Sequence, residues 1–157
     1  MEPLNDRDLA LARLRALTGG ELPQPILVLV HEGQPISKGR PRFGGRGGHP
    51  FTPKRTRDAE RDLAWALAKA RGPVKTLTGP VAMVAMFYMP TRRRTDADNC
   101  VKLLADSATK AHVWADDSQI RAQTIVMELD RDHPRTVVAL CPYLVPSQAP
   151  LLIERTD

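Results

Sequence analysis

Residues Val81–Lys110 read VAMVAMFYMPTRRRTDADNCVKLLADSATK. The run from Val81 to Met89 is apolar or aromatic at every position. Nothing in it alternates with polar residues, so it predicts a strand buried on both faces. Pro90 ends the run, and PTRRRT, Pro90–Thr95, makes a polar loop. A helix is expected from about Asn99 to Lys110. Strand, loop and helix in that order place any chemistry of the loop at the end of a core strand.

Outward from this unit, the same two periodicities recur. QIRAQTIVMEL, Gln119–Leu129, alternates well enough for a strand, and RTVVALCPY, Arg135–Tyr143, predicts another. Upstream, TRDAERDLAWALAKARG, Thr56–Gly72, is the clearest helix: Ala59, Leu63, Leu67 and Ala70 fall on one face. Thr56 is the expected cap, and Gly72-Pro73 the stop. ILVLVHEG, Ile26–Gly33, predicts a strand, turned at Gly33-Gln34 into a second short strand, PISK. Residues 39–55 contain GGRGG and three prolines, so they predict a mobile basic loop with no regular element. Residues 5–18 predict an amphipathic helix capped by Asn5 and stopped by Gly19-Gly20. There is no internal repeat. The expected fold class is α/β (α+β), a small mixed β-sheet with two main helices. The expected division is a helical extension and linker at 1–24, a main domain at 25–145 and a tail at 146–157.

Composition narrows the function classes. The chain has 157 residues, of which 42% are hydrophobic, enough for one unstapled core. No apolar run approaches the roughly 20 residues that span a bilayer, and the N-terminus does not read as a secretory signal. Cys100 and Cys141 have no metal-ligand spacing and read as buried free thiols of a reducing compartment, so a cytoplasmic protein without a membrane partner is expected. The formal net charge is +5, and its placement says more than its size. Lys38, Arg40, Arg42, Arg46, Lys54, Arg55 and Arg57 crowd one segment, and Arg92, Arg93 and Arg94 another. Acids gather between and beyond them. Such basic segments suit a nucleic-acid backbone, which gives salt-dependent affinity without sequence information.

The acids raise a separate question. Asp96, Asp98 and Asn99 lie directly behind the three arginines, and Asp116-Asp117 opens the next strand in ADDSQI. As a cap, Asp98 or Asn99 would serve the helix N-terminus. A cap does not account for Asp96 as well, and a turn accounts for Asp116-Asp117 only by itself. A hard cation such as Mg²⁺ accounts for all of them. It takes oxygen ligands and keeps several waters, so a few carboxylates and a substrate phosphate complete its site. Asp96, Asp98 and Asp117 are the candidate ligands, with Asp116 next in line. Lys102 sits one helical turn after Asp98. It reads either as an ion-pair partner on a solvated face or as a cation aimed at the scissile phosphate. Asp106, a turn further, reads as a helix-surface residue or one that orients Lys102. Phe43, in the basic loop, is a candidate to wedge or stack on a base; Trp65 and Trp114 read as core or interface. The four histidines form no local ligand pair. Geometry leaves one difficulty: the helix carries the chain about 18 Å from Asp98, and residues 111–116 return about 20 Å at most. Asp117 rejoins Asp96 and Asp98 only on a taut link or if the helix ends early; otherwise a second subunit supplies it.

RRTDADNCVKLLADSATKAHVWADDSQI resembles the RusA family of Holliday-junction resolvases. The family pattern is D-x-D-N-x-x-K followed about 20 residues later by an Asp-Asp pair, here Asp96, Asp98, Asn99, Lys102 and Asp116-Asp117. GQPISKGRPR, with FTP before the long helix, is similar to the family's upstream stretch. The resemblance implies a homodimer that resolves four-way DNA junctions in recombination and repair, in a bacterial or phage-infected bacterial cell. It implies Mg²⁺, with Mn²⁺ as substitute, and paired symmetrical nicks leaving 5′-phosphates. Carried over by position, Asp96, Asp98 and Asp117 are the catalytic metal-binding acids and Lys102 the catalytic lysine. Lys38, Arg40, Arg42, Arg46, Lys54, Arg55, Arg92, Arg93 and Arg94 are the expected DNA contacts. Two other readings compete: a junction-binding protein that does not cut, and a metal-dependent phosphohydrolase.

Overall fold

A computed structural model describes residues 2–144. The expected tail, 146–157, lies outside the described residues. The elements run α1 (Asp6–Leu17), β1 (Leu27–Glu32), β2 (Arg42–Phe43), β3 (Pro50–Phe51), α2 (Lys54–Arg71), β4 (Val81–Met89), α3 (Ala97–Lys110), β5 (Ile120–Leu129) and β6 (Arg135–Pro142). One turn of 3₁₀ helix, Asp117–Gln119, precedes β5. Four strands form a mixed sheet in the order β1-β6-β4-β5. β4 and β5 are parallel, joined by α3 as crossover, and the other pairs are antiparallel. This is the expected α+β class, with α2 and α3 as the two main helices and α1 as the expected N-terminal one.

β4 is central, and both its faces are covered. Val81, Met83, Ala85, Phe87 and Met89 pack under α2 and α3. Ala82, Val84 and Met86 pack under α1 with Val137, Ala139 and Cys141 of β6. An uninterrupted apolar strand is what two covered faces require. α1 supplies Ala10 and Leu14, both fully buried, to the second face. Asn5 caps it as expected, accepting from the Asp8 amide at 2.9 Å. The helix is also clamped to the sheet by an ion pair. Arg135 donates to both oxygens of Asp6, at 2.6 and 2.9 Å, and to Asp130 at 2.8 Å. Its guanidinium lies 3.8 Å from the Tyr88 ring centroid.

Several local expectations need correction. PISK forms no strand. Its segment instead runs along the start of α3, where the Lys38 amide donates to Asn99 O at 3.0 Å. The basic stretch 39–55 is not structureless: β2 and β3 pair as a short antiparallel ribbon. Thr56 is not the cap of α2, which begins at Lys54 without a side-chain cap. Thr56 is buried and accepts from the Gly39 amide through Oγ1, at 3.3 Å. Trp114 is core, with its indole N–H on Thr109 Oγ1 at 2.9 Å, whereas Trp65 is 69% exposed with Lys69 over its ring.

The end of α3 resolves the difficulty over Asp117. The helix stops in a Schellman arrangement with His112, at φ 56°, in the left-handed position. His112 N donates to Thr109 O at 3.1 Å and Val113 N to Ala108 O at 3.0 Å. The chain reverses there at once and is pinned alongside residues 76–77 by Leu77 N to Val113 O at 2.9 Å. It then re-enters beside α3.

Candidate active site

Asp98, Val101, Lys102, Ala105, Asp117 and Arg121 line one open cleft of about 430 Å³ between α3 and the start of β5. Asp98 and Lys102 reach it from one face of α3, a helical turn apart. Asp117 reaches it from the turn before β5, within the same chain. Among the described residues Lys102 has no ion-pair partner, so the solvated Asp98–Lys102 pair is not formed. Its ammonium is left facing a cleft with two carboxylates.

Asp96 does not itself line this cleft. It is the N-cap of α3, accepting from the Asp98 amide and from Asn99 Nδ2, both at 3.0 Å. The helix starts at Ala97, two residues before the expected Asn99, so the capping position falls on Asp96 and not on Asp98 or Asn99. Asp116 is likewise used locally. It caps the 3₁₀ turn through the Ser118 amide at 2.8 Å. Hydrogen bonds from Ser118, side chain before backbone, hold its carboxyl below the usual range. Among the described residues no three His, Cys, Asp or Glu side chains are gathered as a ready metal cage. Two cleft carboxylates with open solvent between them nevertheless fit a Mg²⁺-like ion, which is commonly held by one or two carboxylates, waters and substrate phosphate. Cys100, beside these acids, is buried, and burial first and the Asp96 charge second push its thiol up to about 11.

The basic residues divide. Arg42, Arg55, Arg93 and Arg94 line a second groove, of about 380 Å³, between the β2–β3 ribbon, the start of α2 and the loop after β4. Arg40, Arg46 and Arg92 are exposed beside it in sequence. Lys54 is exposed but paired with Asp58 at 2.6 Å. Lys38 is turned inward onto Asp106. Asp106 therefore orients Lys38 and not Lys102.

Sequence reasoning overlooked Arg121, Gln123 and Gln119. Arg121 and Gln123 enter the cleft because edge strand β5 leaves the turn directly and its alternate residues point that way. The 2.0 periodicity of β5 was a usable signal once the turn was joined to the acids. Gln119 holds the turn itself. Its Oε1 accepts from the amides of Ala115 and Asp116, at 2.9 and 3.0 Å. Its Nε2 donates to Leu77 O and Gly79 O, at 2.8 and 2.9 Å.

A mixed α+β domain with paired carboxylates and a lysine in one cleft, and an arginine groove nearby, has the makings of a protein that handles a polyanionic backbone. The chain belongs to the family described as Endodeoxyribonuclease RusA, which matches residues 32–141. It is thus an endodeoxyribonuclease of the Holliday-junction-resolving kind, a hydrolase with branched DNA as substrate and the divalent-metal dependence general to that family. Comparison with curated proteins gave no match. No helix among the described residues is long and apolar enough to cross a membrane.

Because Gln119 carries the turn, Gln119→Ala is expected to cost about 1–2 kcal/mol of stability. Loosening Asp117 should slow single-turnover junction cleavage about tenfold or more. Urea unfolding and cleavage rate measured on the same preparation check both. A destabilised variant that cuts at the parent rate would remove Gln119 as a positioning residue.

Proposed function

We propose that the chain resolves four-way junctions with Mg²⁺, Mn²⁺ substituting, by paired symmetrical nicks that leave 5′-phosphates. What supports this is the convergence of Asp98, Lys102 and Asp117 on one cleft of one protomer. In this reading Asp98 and Asp117 hold the cation, and Asp96 assists from the cap, where its carboxylate oxygens keep free lone pairs. Asp116 is the reserve ligand. The cation, when bound, favours ionisation of the attacking water and offsets charge on the phosphate. Lys102 places its ammonium against the non-bridging phosphate oxygens, where negative charge grows as the bond breaks. Arg121 stands at the mouth of the cleft to hold the strand. Arg42, Arg55, Arg93 and Arg94 bind the backbone leading into it, with Arg40, Arg46, Lys54 and Arg92 at the margin. Lys38 contributes through its inward pair instead.

A homodimer completes the reading. A C₂ pair presents two equivalent clefts to the two-fold symmetric strands of a junction. Cutting both together avoids a half-resolved product.

The first experiment is cleavage of a labelled four-way junction beside a linear duplex, with Mg²⁺ and with chelator. Paired nicks on the junction with metal alone support the reading, and binding without cutting overturns it. Lys102→Ala should then lower turnover about a hundredfold, with the Mg²⁺ concentration for half-maximal rate nearly unchanged. An unaltered rate would return Lys102 to the solvated helix face. Arg40→Ala with Arg42→Ala should weaken junction binding and reduce the slope of log affinity against log salt by about 2. Unaltered slopes would take both residues out of the DNA interface.

A further inference from the structure

The β2–β3 ribbon holds two aromatic side chains that the cleavage step does not use. Phe43 is 76% exposed and Phe51 49% exposed, so neither serves the core. Arg42 lies opposite Phe51, and Phe43 opposite Pro50. Opposed residues share a face of a ribbon and successive residues alternate. Phe51 therefore stands on the face of Arg42, which lines the arginine groove, and Phe43 stands on the other face with Pro50. The tip between them is tightly built: Gly48 N donates to Gly45 O at 2.8 Å, and a Cβ on Gly48 would lie 2.4 Å from Gly44 O. The only cation in that tip is Arg46.

Resting on the junction-cleaving reading, we propose that this ribbon is a wedge inserted at the branch point, stacking one base on each face. Phe51 takes the base adjoining the groove-bound strand. Phe43 takes the base of the neighbouring arm. Charge complementarity supports DNA as the occupant, because Arg42, Arg55, Arg93 and Arg94 hold the strand on the Phe51 side. Base pairs inside a duplex have both faces covered by their neighbours, whereas those at a branch point do not. Stacking is available to every base, so the ribbon discriminates branched from linear DNA with little regard to sequence. The arginines cannot make that distinction, since both substrates present phosphates.

The test uses the full chain in chelator, a four-way junction with 2-aminopurine beside the branch point, and a linear duplex with the same sequence. Wild type should change the 2-aminopurine emission on binding the junction only. Phe43→Ala and Phe51→Ala should each weaken junction affinity about tenfold and lose the emission change. Duplex affinity and the salt slope should stay at parent values, and Phe43→Trp should restore junction affinity. Variants that bind the junction like the parent overturn the inference while leaving the resolvase reading intact. Equal loss on duplex and junction overturns it too, as does a change in mass by light scattering, which would assign the phenylalanines to a second copy of the chain. A wild type that binds both substrates alike overturns the resolvase reading and this inference with it.

Discussion

Asp98→Asn is expected to stop junction cutting while preserving junction binding. The side chain lies in the cleft with Lys102 and Asp117 and is exposed, so the substitution disturbs no packing. The cap of α3 survives, because the Asp98 amide, which donates to Asp96, is untouched. An amide of nearly the same shape removes one negative charge and most of the affinity for a hard cation. A loss of at least about 10³-fold in cleavage rate follows, or roughly 4 kcal/mol of transition-state stabilisation. Junction affinity in chelator should equal or exceed that of the parent, since one carboxylate no longer repels the phosphates. Single-turnover cleavage and a binding isotherm on one preparation test both halves. Parent-like turnover would exclude Asp98 from the reaction.

Removal of residues 2–24 should prevent cooperative folding. These residues lie before the span matched by the family, yet α1 closes the second face of the sheet. Without it Ala82, Val84, Met86, Val137 and Ala139 lose their cover. Burial of Leu14 alone stabilises the fold by about 2 kcal/mol. Loss of the two charge-assisted hydrogen bonds from Arg135 to Asp6 costs about 3 kcal/mol more, although Asp130 remains as a partner. Together these approach the total stability of an ordinary domain, about 5–15 kcal/mol. Insoluble or non-cooperatively melting protein is the expected result. A soluble truncation with the parent Tm would show that α1 is dispensable. Asp6→Asn gives the graded version and should lower the urea midpoint without preventing folding. The same clamp has an acid limit. Arg135 first, then the His133 amide, hold the Asp130 carboxyl below its usual range. A lowered folded pKa means that the contribution is present in full above the ordinary value of 3.8 and fades as pH falls through and below it.

Much of this protein was legible in order along the chain. The apolar run of β4, the periodicity of α2 and the Asn5 cap each depend on neighbours a few residues away. The acids, Lys102 and the arginine segments were also legible, as chemistry without geometry. The failures share a cause. Asp96 and not Asp98 became the cap because a helix start shifts by two residues at little local cost. Lys38 was expected on DNA but found Asp106, 68 positions along the chain. Arg121 joined the cleft only because the turn before β5 came back beside α3.

The sequence by itself determined the main helices and strands, the class of fold and the residue types that a metal-assisted nuclease needs, because helix and strand periods and motif spacings are local properties. Tertiary structure alone decided that Asp117 shares a cleft with Asp98 and Lys102 within one chain. It likewise decided that Asp106 engages Lys38, and that Asp6 and Arg135, 129 positions apart, lock α1 over the sheet. Those pairings follow from strand order and from the sharp reversal at His112, and no local pattern encodes which distant side chains a folded sheet brings together.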